Sequence, residues 1–94
     1  MEATTHFNTE QAERYLGTLC KHFGHKVLVT HTRNQGAITL PFGACTLSAS
    51  DTGLTLTITA DDQEKLDQTV QVITSHLERF AFREDPDLSW DYAA

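Results

Sequence analysis

The side chains best suited to metal chemistry are gathered near the end of the first predicted helix, where Cys20, His22 and His25 lie close together. Imidazole and thiolate are common protein ligands of zinc, iron and copper. On a helix, however, Cys20 and His22 point about 200° apart and cannot bind one ion together. Cys20 also lies beside the apolar stripe of the helix, which predicts a buried thiol that behaves as a small apolar side chain. His22 and His25 could converge, but two ligands do not define a specific site.

A further candidate ligand, His76, lies on the corresponding edge of the second predicted helix. If the two helices are antiparallel and their ends are level, His76 lies roughly 15 Å further along than His22. We therefore expect His22, His25 and His76 to bond to backbone or carboxylate groups rather than to form one metal site. No cofactor is predicted. A metal-binding protein or metal-dependent enzyme that uses the His22/His25 region stays open as the alternative interpretation.

A pair of arginines, Arg79 and Arg83, lies one helical turn apart, with Glu78 and Glu84 nearby. Such charges usually form a solvated surface. Guanidinium pairs can also bind a carboxylate-bearing ligand or an acidic partner segment. The sequence shows neither a nucleophile in a glycine elbow nor a glycine-rich phosphate loop, so no catalytic residue is predicted. An enzymatic activity is therefore not favoured.

The composition is typical of one small globular domain over 1–94: 94 residues, 39% hydrophobic and 21% charged. A net charge of −6 argues against binding to nucleic acid or to an anionic membrane surface. No apolar run approaches the roughly 20 residues that span a bilayer, and the N-terminal residues do not form a signal peptide. Two cysteines make a poor disulfide framework, so a cytoplasmic protein with free thiols is expected.

The first helix is predicted over about 10–23, with Asn8 or Thr9 as its N-cap and Gly24 as its stop signal. The acidic residues that follow the cap are favourable near a helix N-terminus. Apolar residues recur with helical spacing at Ala12, Leu16, Leu19 and Phe23. This stripe predicts the face that packs against a sheet.

The second helix is predicted to begin at Asp61, with Glu64 completing a capping box, and to end near Ala81. Its apolar stripe, which should face the sheet, consists of Leu66, Val70, Ile73, Leu77 and Phe80. The acidic residues 85–94 are predicted to form an extended tail in which Trp90 alone is able to anchor the chain.

Five strands are predicted from alternating apolar and polar residues, at about 3–7, 26–32, 37–40, 44–49 and 54–60. The last four are separated by turn signals at 34–36, 41–43 and 50–53. The fold class that follows is α+β in the order β-α-β-β-β-β-α. A mainly antiparallel sheet should carry two antiparallel helices on one face.

The other face of this sheet is predicted to lack charge, which is unusual for a surface in water. Its side chains are Ala37, Thr39, Ala44, Thr46, Ser48, Thr55, Thr57 and Thr59. Small uncharged side chains allow close approach of another flat surface, so we expect a homodimer, with a partner protein as the alternative. A solvated threonine-rich face is the simpler interpretation.

Motifs at both ends of the chain resemble the bacterial family DUF2218, a domain of unknown function. They are Tyr-Leu at 15–16, Leu-Cys-Lys-His-Phe at 19–23, His-Lys at 25–26, Ile-x-Leu-Pro at 38–41, and His-Leu-x-Arg-Phe-Ala-Phe-Arg-Glu at 76–84, with Trp90. The resemblance implies a small accessory module linked to siderophore-interacting reductases, and so to iron metabolism. It supplies no catalytic residues. An aldolase activity ascribed to some relatives needs a barrel of roughly 250 residues, which this chain cannot form.

Overall fold

A computed structural model describes residues 1–84, 86 and 88–93 of the chain. The elements are β1 (Glu2–Asn8), α1 (Ala12–Phe23), β2 (Leu28–His31), β3 (Gln35–Leu40), β4 (Gly43–Ala49), β5 (Gly53–Thr59), α2 (Gln63–Phe80), a 3-10 turn (Phe82–Glu84) and β6 (Asp91–Tyr92). The predicted α+β class is confirmed, since two helices accompany an antiparallel sheet.

The sheet has the strand order β2-β3-β4-β5-β1-β6, and every neighbouring pair is antiparallel. β1 and β2 therefore run in the same direction with three strands between them, and α1 makes the crossover. The meander from β2 to β5 agrees with the prediction. The short strand β6, which pairs with β1, was not predicted.

The core lies between the two helices and one face of the sheet. The inward side chains of β5, Leu54, Leu56 and Ile58, are fully buried, as alternation predicts. The α2 stripe also faces the sheet as predicted: Leu66, Ile73 and Leu77 are buried, and Val70 and Phe80 pack at its border. Thr69, which was not expected in the core, is buried with its hydroxyl donating to the Lys65 carbonyl at 2.8 Å. That bond satisfies the buried hydroxyl.

The helix ends differ from the prediction in detail. Gln11 is the N-cap of α1 and makes no side-chain cap bond, while the Thr9 hydroxyl accepts from the Gln11 amide at 3.0 Å. Gly24 caps the other end with φ −61°, so the right-handed backbone continues and does not require glycine. The N-cap of α2 is Asp62, whose carboxylate accepts from the Lys65 amide at 2.8 Å. The predicted N-cap at Asp61 is therefore wrong by one residue, and Lys65 rather than Glu64 occupies the position of the predicted capping-box partner.

The turn predicted at 34–36 is wrong, because Gln35 and Gly36 belong to β3. Gly36 faces Leu47 across the neighbouring strand. A Cβ atom added to Gly36 would lie 2.8 Å from the Cys20 Sγ atom. Glycine at this position thus lets α1 approach the sheet closely. A turn and a close approach of this kind both favour glycine, so the sequence alone does not distinguish them.

Hydrogen bonds tie the C-terminal segment to the start of the chain. The Glu84 carboxylate accepts from the Tyr15 hydroxyl and from the Thr9 hydroxyl, the latter at 2.7 Å. The Trp90 indole donates to the Thr74 hydroxyl at 2.9 Å. Residues 85, 87 and 94 of the predicted acidic tail lie outside the described part. Within that part, no helix is both long and apolar enough to cross a membrane.

Candidate functional site

The imidazole rings of His22 and His76 lie against each other between the two helices, with ring centroids 4.9 Å apart. The expectation that these residues lie at different levels is wrong. The helices are antiparallel but offset, because α1 packs beside the C-terminal half of the longer α2. Phe80 contacts His22, with ring centroids 5.5 Å apart, and Tyr15 reaches Glu84 beyond the end of α2.

The apolar stripes of both helices place these two rings at the rim of the core. Phe23 is buried beside His22, and Leu77 is buried beside His76, so each histidine lies on the shoulder of its helix. The Phe23 ring contacts both imidazoles, at centroid distances of 5.4 Å from His22 and 4.8 Å from His76. His22 is exposed and His76 is half-buried. The two imidazoles therefore pack against an aromatic ring and remain accessible to solvent.

The orientation of His76 is set by a hydrogen bond within α2. Its Nδ1 atom lies 2.7 Å from the Val72 carbonyl oxygen. Because a carbonyl can only accept, Nδ1 must donate, and the neutral ring then has its lone pair on Nε2. His76 thus has a defined tautomer with one nitrogen left as an acceptor or ligand.

The pKa of His22 is lowered from 6.5, first because the ring is partly removed from water. The pKa is lowered further by the positive charges of His76, Lys26, His25 and Arg79. The neutral imidazole is therefore favoured at neutral pH, and its lone pair is available to a hydrogen-bond donor or a metal ion.

The other candidate residues surround this pair less closely. His25 lies in the turn after α1 and is exposed, and Arg79 is exposed one turn beyond His76 on α2. Arg83 lies in the 3-10 turn with its guanidinium 5.8 Å from the centre of the Phe82 ring. Across the described residues, no group of three or more histidine, cysteine or carboxylate side chains could hold a metal ion. Ligand binding by His22, His25, His76, Arg79 and Arg83 stays a prediction.

Both cysteines are buried in the core and free, as expected for Cys20. Burial raises the pKa of the Cys20 thiol. Burial, with a smaller effect of Cys20, raises the pKa of Cys45 to about 12. Protonated and enclosed thiols are poor nucleophiles and poor metal ligands. The cysteines are therefore packing residues.

A second candidate surface is the open face of the sheet, on the side opposite the helices. The eight residues predicted there all point away from the core, and the strand register extends the face to Leu28, Thr30, Gln35, Thr4, His6 and Asp91. The central strands β3, β4 and β5 contain no charged residue. Charged groups on this face, Glu2 and Asp91, belong to β1 and β6.

Comparison with known proteins identifies relatives over nearly the whole chain. Residues 4–91 match DUF2218, a family described as an uncharacterized protein conserved in bacteria. A solved structure, the NMR structure of PA4090 from Pseudomonas aeruginosa, is similar with a TM-score of 0.82 and 34% sequence identity. The similarity covers 98% of this chain and 96% of that chain. None of the curated proteins matches significantly.

Proposed function

The chain belongs to the bacterial family DUF2218, and we propose that it is a small non-enzymatic binding module whose open sheet face binds a second copy of the chain. The observation that carries this proposal is the absence of charge across β3, β4 and β5. Water-facing sheet surfaces normally carry interspersed charges of both signs. A contact surface between identical copies is expected to lack charged residues, because the contact would bring like charges together.

The dimensions of the face suit a dimer. Five strands of four to seven residues, about 4.8 Å apart and rising about 3.3 Å per residue, give a surface of roughly 500 Å² per copy. Two such surfaces together reach the roughly 1,000 Å² that a specific interface requires. Threonine, serine and alanine side chains allow two sheets to pack at about 10 Å. A two-fold contact between copies is the simplest arrangement for such a self-complementary surface.

The setting proposed for the module is iron or siderophore metabolism in the bacterial cytoplasm. The metabolic part is supported by the family resemblance alone. The compartment is supported by the free, buried state of Cys20 and Cys45, since disulfides are uncommon in reducing compartments.

A metal-binding protein is the second candidate function, and the contact between His22 and His76 favours it. The pair of candidate ligands differs from the sequence-based expectation, because His76 rather than His25 lies against His22. Metal analysis of protein purified without a histidine tag tests this candidate, since a tag would bind metal itself.

Thr57→Lys tests the dimer directly. Thr57 lies in the middle of the open face, between Thr46 of β4 and Thr4 of β1. Across a two-fold contact the substitution places an unpaired charge on both sides, which costs far more than a charge in water. Sedimentation should show a dimer for the parent and a monomer for the variant, with the fold intact by circular dichroism.

The matched control is Gln71→Lys, which adds the same charge at an exposed position of α2. This variant should remain dimeric. A parent protein that is monomeric at high micromolar concentration would rule out the homodimer. Equal dissociation by both lysine variants would show that overall charge, rather than the open face, controls association.

A further inference from the structure

We propose that His22 and His76 form a two-imidazole site for a transition-metal ion that arrives with its own anionic ligand. The inference deepens the metal-binding candidate described above by naming the ligand class. It does not depend on the sheet-face dimer, so the failure of one leaves the other standing.

The spacing of the two rings fits ligation of one ion. A metal–nitrogen bond is about 2.0–2.1 Å, and the ring centroid lies about 1 Å beyond the nitrogen. Two imidazoles at angles of about 90–110° on one ion then have centroids about 4.5–5.3 Å apart. The observed separation of His22 and His76 is 4.9 Å, with an angle of 48° between the ring planes.

The hydrogen bond that His76 Nδ1 donates to the Val72 carbonyl oxygen also suits a metal-binding role for this ring. Histidines that bind metals usually donate the other ring nitrogen in this way, which fixes the ring and raises its basicity. Phe23 and Phe80 contact the imidazoles and restrict their rotation. Less conformational freedom is therefore lost when an ion binds.

The surroundings decide what kind of metal species fits. Two permanently cationic side chains, Lys26 and Arg79, act on His22. These charges repel a bare divalent ion and attract an anion. No third protein ligand completes the site within the described residues. The remaining ligands must then come from outside, and a carboxylate-rich chelate with two open coordination positions meets both requirements.

Nickel–nitrilotriacetate is a suitable probe, because this anionic chelate leaves two coordination positions open. Untagged protein should bind it in isothermal titration calorimetry with one chelate per chain. His22→Gln and His76→Gln should each weaken binding by at least about tenfold, since one imidazole cannot replace two. Circular dichroism should show that both variants remain folded.

His31→Gln is the matched control, because His31 is an exposed histidine at the edge strand β2 and its loss should leave binding unchanged. Absence of binding by the parent overturns the site. Unchanged binding in either His22→Gln or His76→Gln also overturns it, and identifies an adventitious ion only.

The anionic co-ligand is tested separately with Arg79→Gln, compared on the nickel chelate and on nickel ion alone. Removing this positive charge should weaken binding of the chelate and should not weaken binding of the bare ion. If both probes respond alike, the part of the proposal that concerns the anionic ligand is wrong.

Discussion

The two faces of the sheet differ more than any other regions of the molecule, although the same strands form both. On β5 the helix-covered face carries Leu54, Leu56 and Ile58, all fully buried. The open face of the same strand carries Thr55, Thr57 and Thr59. One face is filled by branched apolar groups, and the other is made of small hydroxyl groups. The alternation places both sets with a period of two.

The helix-covered face therefore stabilises the fold, whereas the open face is the surface that a partner could contact. The covered face has its complement within the chain, in the stripes of α1 and α2. For the open face, we propose that the complement is a second copy of the chain. Substitutions on each face would measure how much that face contributes to the free energy of unfolding.

The largest effect is expected for Leu77→Ala on the covered side. Leu77 is completely buried, and truncation of such a leucine costs about 2–5 kcal/mol through lost burial and the cavity that remains. Thr59→Ala on the open face should change the free energy of unfolding by less than about 1 kcal/mol. Chemical denaturation measures both. Similar losses in the two variants would contradict the contrast between the faces.

A smaller effect is expected where α1 approaches the sheet most closely. Gly36→Ala forces a Cβ atom against the Cys20 sulfur and should cost about 1–3 kcal/mol. Cys20→Ala alone should cost about 1–2 kcal/mol through lost packing, without changing metal content. The double variant should lose less than the two single losses combined, because the smaller side chain makes room.

Gly17→Ala provides the control for this substitution, since a Cβ at Gly17 would have no neighbour within 4 Å. Alanine there should stabilise α1 by up to about 1 kcal/mol. Additive losses for Gly36→Ala and Cys20→Ala would show that the close approach does not limit packing.

The smallest effect concerns pH at the rim of the covered face. The pKa of His22 is lowered because its ring is partly removed from water and because cations lie nearby, so the unfolded chain binds a proton more readily than the folded one. Stability from the neutral ring is present above about pH 6.5 and is lost as the pH falls through the folded pKa. Thermal unfolding midpoints of the parent should decrease more than those of His22→Gln between about pH 7.5 and 5. Parallel decreases would remove His22 as a cause.

Much of the covered face could be predicted because its pattern is periodic. The stripe that contains Leu66, Ile73 and Leu77 repeats with helical spacing, and β5 alternates without interruption. Where one residue type serves two purposes, the pattern misled: Gly36 indicates a turn as readily as a close contact. The two-residue strand β6 is too short to show any period.

The histidine contact could not be predicted from either helix alone. Helical spacing places His22 and His76 on matching shoulders, but their level depends on how far α2 extends past α1. The offset between the two helices depends on how they pack on the sheet, since each helix takes the position in which its apolar stripe is best buried. The matching helix shoulders could thus be predicted, whereas the short distance between the two rings could not.

The placement of β1 between β5 and β6 has a consequence for how the chain folds. Strands β2 to β5 join through short hairpins, whereas the pairing of β1 with β5 brings together His6 and Thr55, 49 positions apart. Closing such a long loop requires more chain entropy to be lost before contacts form. We therefore expect the meander to form first and β1 to dock late. Until β1 arrives, the edge of β5 is an unpaired strand able to recruit another chain.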